Sequence, residues 1–205
     1  MTDTQQLIDA VTKADSPASM VTAVQKLAAA KDTAAILTLI AVFGYNNPTA
    51  AVVAVAGLIE LGEVAVPHLL AQIDDYNYGA RAYSVRTLAA IADPLALDLL
   101  LTAAAIDFAP SVRRAAAKGL GFLHWHKLDV SERLEAQKKA IETLLSISQD
   151  SDWSIRYAAT VGLQELAKIP DLQGPIQARF KEMLANDADK AVAARVQLAQ
   201  IDGCW

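Results

Sequence analysis

Cysteine occurs once in this 205-residue chain, as Cys204, which excludes an internal disulfide and fits a reducing compartment. Lys and Arg fall short of Asp and Glu, 18 against 23, giving a net charge of −5 and a pI near 5.1. That balance argues against a nucleic-acid backbone as partner, because such binding runs on counterion release by Lys and Arg. The opening MTDTQQLIDAV lacks the basic-then-apolar order of a signal peptide. No apolar run approaches the ~20 residues of a membrane helix, so a soluble, cytoplasmic protein is expected. Alternating runs bounded by turn residues, the mark of strands, are missing too. There is no Gly-rich phosphate loop, no Ser-His-Asp order and no paired-carboxylate motif, which leaves hydrolase and nucleotide-dependent chemistry without support. Two of the three histidines stand in His124-Trp125-His126. Residues two apart on a helix do not share a face, and nothing is spaced to complete tetrahedral zinc, so no metal is expected.

What the chain does have is apolar mass, 54% of it, much of it alanine, and a phrase that repeats. In DFAPSVRRAAAKGLGFL, residues 107–123, the residues Val112, Ala115, Ala116, Gly119, Leu120 and Leu123 form one continuous helical face. Its small residues call for a second helix very close by. In DSDWSIRYAATVGLQEL, residues 150–166, Ile155, Arg156, Ala159, Gly162, Leu163 and Leu166 repeat the pattern 43 residues later. Backwards, Arg81, Ser84, Leu88 and Ile91 precede Arg113, Ala116, Leu120 and Leu123 by 32. Earlier copies open at Pro48 and Pro17, and residues 187–201 read as a last, degenerate copy without a fixed register.

Partner helices are expected over 33–43, 66–73, 94–106, 132–147 and 175–185, most opening at or beside a proline or an acidic residue. Five to six helix pairs make an all-α fold, an α-solenoid, and a single repeat domain over residues 1–205. The 43-residue step carries an 11-residue insertion, HWHKLDVSERL, after the central helix. Insertions in such arrays gather on one face and often bind something.

The Val-Arg, Ala, Leu, Leu, Asp spacing resembles HEAT repeats in their short bacterial form. Residues 76–125, YNYGARAYSVRTLAAIADPLALDLLLTAAAIDFAPSVRRAAAKGLGFLHW, are similar to the core of the E/F-type phycobilin lyases, and most like their shorter, β-type subunits. That resemblance implies a subunit of a heterodimeric lyase, with a larger α-type lyase subunit as its partner. It implies attachment of phycocyanobilin, through a thioether, to a cysteine of the phycocyanin α chain. Phycocyanobilin is then a transferred substrate, and no cofactor is permanently bound. The isomerising relatives carry an adjacent His-Cys pair; this chain has none, which implies attachment without isomerisation. A HEAT-like adaptor or scaffold in phycobilisome assembly or turnover remains the other reading, since fold does not fix function.

Under that resemblance the bilin-binding candidates are arginines, aromatics and two aspartates. Arg81, Arg113 and Arg156 each follow an Asp by six (Asp75, Asp107 and Asp150). Such pairs build ladders between repeats; equally, guanidiniums suit the two propionates of a bilin. Arg86 and Arg114 lie off the core face and are the freer cations. Tyr76, Tyr78, Tyr83, Trp125, Trp153 and Tyr157 make up half of the aromatics and are candidates to stack on pyrrole rings, or plain packing groups. Asp107 and Asp150 read as helix caps or ladder partners, or as acceptors for pyrrole N–H groups. Tyr76, Tyr78, Arg81, Tyr83 and Arg86 cluster within 11 residues, and Arg86 is the sharpest choice. Cys204 has nothing beside it to lower its pKa and reads as inert. No catalytic residue is assigned.

Overall fold

Helix starts in this chain are written locally, and a computed structural model describing residues 3–73 and 77–203 bears out those at Pro17, Pro48, Tyr78, Pro110 and Trp153, while those expected at 94 and 175 fall at Leu97 and Gln173. Among the described residues there is no strand. Packing divides the chain into two compact units, Met1–Ile91 and Ala92–Trp205. Each is a stack of three helix pairs, as expected of a solenoid in which every repeat touches only its neighbours.

In the first unit, α1 (Asp3–Thr12) pairs with α2 (Pro17–Ala29), α3 (Ile36–Ala41) with α4 (Pro48–Leu61), and α5 (Val66–Ala71) with α6 (Tyr78–Ile91). The second helices stack in order, α2 on α4 and α4 on α6. Their starts share one device. Ser16 caps α2 through Ser19 N–H, while Asn47 and Asn77 accept from Ala50 N–H and Ala80 N–H, each at 3.1 Å. Asn47 Nδ2 also donates to the Pro17 carbonyl at 3.1 Å, tying one repeat to the previous one.

Three expectations need correcting here. Helix α1 was missed because only Val11 and Thr4 of its residues are buried, so its apolar stripe is too thin to read. The expected helix 33–43 is a short α-helix flanked by 3-10 turns at Thr33–Ala35 and Val42–Gly44. The run Pro48–Ala71 does have the length and apolarity of a membrane span. It is nevertheless two helices of successive repeats. Gly62, at φ 71°, breaks it, and Ala50, Ala54, Leu58, Val66 and Leu69 are buried in the stack.

The second unit repeats the plan: α7 (Leu97–Ile106) with α8 (Pro110–Phe122), α9 (Val130–Ile147) with α10 (Trp153–Leu166), and α11 (Gln173–Asn186) with α12 (Lys190–Gly203). Helices α8, α10 and α12 stack in order. The close approach foreseen for α8 falls one strip over, on Ala117 and Gly121 rather than Ala115 and Gly119. A methyl group on Gly121 would sit 2.5 Å from the Gly162 carbonyl oxygen, and one on Gly162 equally close to the Ala117 oxygen. The two backbones touch.

The insertion is half helix. Its first residues form a 3-10 turn, Trp125–Lys127, and its last ones lengthen α9, which therefore opens at Val130 rather than at residue 132. The degenerate last copy also gains a register. Val192, Val196 and Ala199 are fully buried 37 residues after Ile155, Ala159 and Gly162, with Asp187 and Asp189 matching Asp150 and Asp152. The arginine position there is Ala193.

Candidate functional site

The expected site residues fall in both units. In the first unit, Tyr78 opens α6 and is 45% exposed. Tyr83 is half-buried, its ring 5.5 Å from that of Phe43 at 33°. Arg86, one turn on from Tyr83, is exposed. Arg81 is not open to a ligand, being 8% exposed on the packed side of the helix, and Arg86 is the outward-facing cation of this cluster. Asp75, Tyr76 and Cys204 lie outside the described residues.

In the second unit the arginines form a ladder, and its rungs run forward. Arg113 Nη2 donates to Asp150 Oδ2 at 2.7 Å, and its Nε donates to the Ala104 carbonyl at 3.1 Å. Arg156 grips Asp187 with two parallel bonds, Nε to Oδ2 at 2.7 Å and Nη2 to Oδ1 at 2.8 Å. Its Nη1 donates to the Asp150 carbonyl at 2.8 Å. So each arginine takes the carboxylate of the following repeat's aspartate, and Arg156 reaches the residue six before it only through the Asp150 backbone carbonyl. Those aspartates also shape their own turns: Asp107, Asp150 and Asp187 accept from the N–H two residues on, at 2.8 to 2.9 Å. The Arg156 bonds hold the Asp187 carboxyl below its ordinary range against the opposing effect of burial, and Asp187 in turn raises Arg156.

Arg114, expected to be free, is engaged. Its Nη1 donates to Ser154 Oγ at 3.0 Å, and that hydroxyl donates to Asp152 Oδ1 at 2.7 Å. The Ser154 hydroxyl and backbone N–H lower the Asp152 carboxyl, with smaller help from Arg114 and Arg113. Trp153, 49% exposed, and the half-buried Tyr157 lie one turn apart on α10. Trp125 is partly buried in the 3-10 turn. That turn brings the His124 and His126 rings to 5.6 Å, so the helical argument against their sharing a face does not apply to them. Among the described residues, no three His, Cys, Asp or Glu side chains group as metal ligands would.

Two residues escaped the sequence reading. Asp187 is the ladder's final acceptor, and the signal for it was the Asp-x-Asp spacing shared with Asp150 and Asp152. Arg179, on α11, donates to Ser148 Oγ at 2.7 Å and to the Ser148 carbonyl at 2.8 Å, and pairs with Glu182. Nothing local marks it. Arg156, Arg179, Asp150, Asp187 and Glu182 line an open recess of about 330 Å³. The two arginines there are already engaged, so the recess is a joint between repeats.

A family model described as HEAT repeats matches residues 66–163. Among curated proteins, the chain is 72% identical to "Phycocyanobilin lyase subunit beta" of Nostoc sp. strain PCC 7120, over 96% of this chain and 98% of that one. It is 47% identical to "Phycocyanin alpha phycocyanobilin lyase CpcF" of Synechocystis sp. strain PCC 6803, over 94% of this chain and 90% of the relative. Among solved structures, the complex of CpcE and CpcF of phycocyanin lyase from Nostoc sp. PCC7120 contains a chain 74% identical to this one. The match covers 82% of this chain and 99% of that one, with a TM-score of 0.80.

Proposed function

The chain belongs to the E/F-type phycobilin lyase family, among its β-type subunits, and from that membership we infer that it is one subunit of a heterodimeric bilin lyase. Its partner is the larger, α-type subunit. The pair attaches phycocyanobilin to a cysteine of the phycocyanin α chain, without isomerisation. The observation that carries this is the 72% identity to a phycocyanobilin lyase subunit across nearly the whole of both chains. The chain is cytoplasmic on this reading, where the acceptor thiol stays reduced.

The chemistry asks little of the protein. The acceptor's thiolate adds to the ethylidene side chain of the bilin's A ring, a carbon–sulfur bond forms, and the ring carbon takes up a proton. A scaffold that holds the bilin extended and presents one end raises the rate by proximity and excludes the wrong adduct. Helix pairs with rigid stacking suit that task. In the first unit we assign Tyr78, Tyr83 and Arg86 to the bilin, with Tyr76. The second unit by itself offers the aromatic candidates Trp125, Trp153 and Tyr157, the last two one turn apart on α10. Arg113, Arg156 and Asp150 serve the stacking of repeats instead, and Asp107 shapes its own turn.

The test is co-expression with a bilin supply, the acceptor chain and the larger subunit, followed by zinc-enhanced fluorescence of the acceptor on a denaturing gel. A fluorescent acceptor band that needs both subunits is expected. An acceptor that stays dark while still binding the chain would mean an adaptor, not a lyase subunit.

A further inference from the structure

Buried N–H groups in folded proteins are nearly always paired, and one left unpaired is costly. The insertion after α8 holds two of them: Trp125 Nε1 and Arg133 Nε are both shut off from solvent without an acceptor. They belong to one small structure. Leu128 donates its N–H to the Trp125 carbonyl at 3.2 Å and accepts Arg133 Nη2 on its own carbonyl at 3.0 Å. The guanidinium is thus anchored at one end with its Nε unspent.

Beside these donors the insertion is oily on the outside. Val130 and Leu134 are 69% and 56% exposed, and lie one turn apart on the first turns of α9. The turn itself is held by Lys127 on Asp93 at 2.9 Å and by His124 N–H on the Ala92 carbonyl at 2.8 Å. Two spare donors, one of them cationic, next to exposed aliphatic surface match a ligand that is apolar with an anionic oxygen. A guanidinium N–H favours a carboxylate over a neutral carbonyl.

We propose that Trp125 and Arg133 receive a propionate carboxylate of the tetrapyrrole, whose apolar body lies along Val130 and Leu134. This rests on the lyase reading and adds Arg133 as a binding residue. Both donors are covered until ligand arrives, so residues 124–129 shift outward to admit it, releasing the Lys127–Asp93 contact. The acceptor then satisfies the two N–H groups.

The test uses the purified heterodimer, titrated with phycocyanobilin and separately with its dimethyl ester, following bilin absorbance. Trp125→Phe keeps an aromatic ring and removes one donor, while Arg133→Met keeps the stem and removes the guanidinium, its Leu128 bond included. Each should weaken binding of the free acid roughly tenfold. The ester should bind the unaltered pair about as weakly, and neither substitution should affect it further. Trp125→Phe should not lower the melting temperature, since it deletes an unpaired buried donor; Arg133→Met also loses the Leu128 bond, and the ester titration separates that loss from a loss of carboxylate binding. Should Trp125→Phe fold poorly, Arg133→Met decides alone. Free-acid affinity equal to that of the unaltered pair, or equal losses for acid and ester, overturns the proposal while leaving the lyase reading intact. An unaltered pair that binds no bilin overturns both.

Discussion

Arg156 and Asp187, 31 residues apart, meet in a two-bond guanidinium–carboxylate clasp that joins α10 to the turn before α12. Their side chains are 16% and 5% exposed, so solvent screens the clasp little. Removing the arginine strands a buried carboxylate. Arg156→Ala should therefore cost about 2–3 kcal/mol, which for a chain of this size is a drop of about 5–10 °C in Tm. Thermal unfolding by circular dichroism checks it. Bilin attachment at low temperature should persist, and its loss in a folded variant would return Arg156 to the binding site.

The same clasp has a pH signature. Asp187 has a folded pKa below its ordinary value of 3.8, so its contribution is complete above that value. It disappears as pH falls through the lower, folded value. Tm should decline faster below about pH 4 in the unaltered chain than in Arg156→Ala. Parallel curves for the two would show that the clasp contributes nothing.

Arg86 is the outward, exposed cation of α6. Arg86→Ala should lower bilin transfer roughly ten- to a hundred-fold at limiting bilin, the loss of one charge-assisted hydrogen bond. Tm and heterodimer formation should not change. Transfer at the unaltered rate would remove Arg86 from the site.

Gly121 faces the Gly162 backbone with no room for a side chain. Because the atoms in the way are backbone, Gly121→Ala must push α8 and α10 apart, at about 1–3 kcal/mol or more. Chemical denaturation should show a lower midpoint. An unchanged midpoint would mean that the two helices separate without cost.

Lys31, just past the end of α2, sits at φ 50°, in the left-handed region where a Cβ is strained. Its ion pair with Glu60 is exposed on both sides and worth little. Lys31→Gly should raise stability by about 0.5–1 kcal/mol. A fall in Tm would show that the ion pair outweighs the strain.

Much of this architecture is present in the chain's local chemistry. Prolines at 17, 48 and 110, caps at Ser16, Asn47 and Asp152, and the 3.6-residue apolar period place helix starts because each acts within one turn. The repeat of Arg and Asp was visible for the same reason, and the resemblance carried by residues 76–125 led to the family. Partnership was not visible. That Arg113 bonds Asp150 rather than Asp107, and that Arg114 is spent on Ser154, depends on how one repeat lies on the next. Arg179 reaches Ser148 across 31 residues, and nothing local shows that Trp125 and Arg133 keep buried donors in the same insertion. Helix positions follow from forces between near neighbours in sequence. Which charge is spent and which donor is left over is set only when distant segments pack, because burial and partner distance exist only in the folded chain.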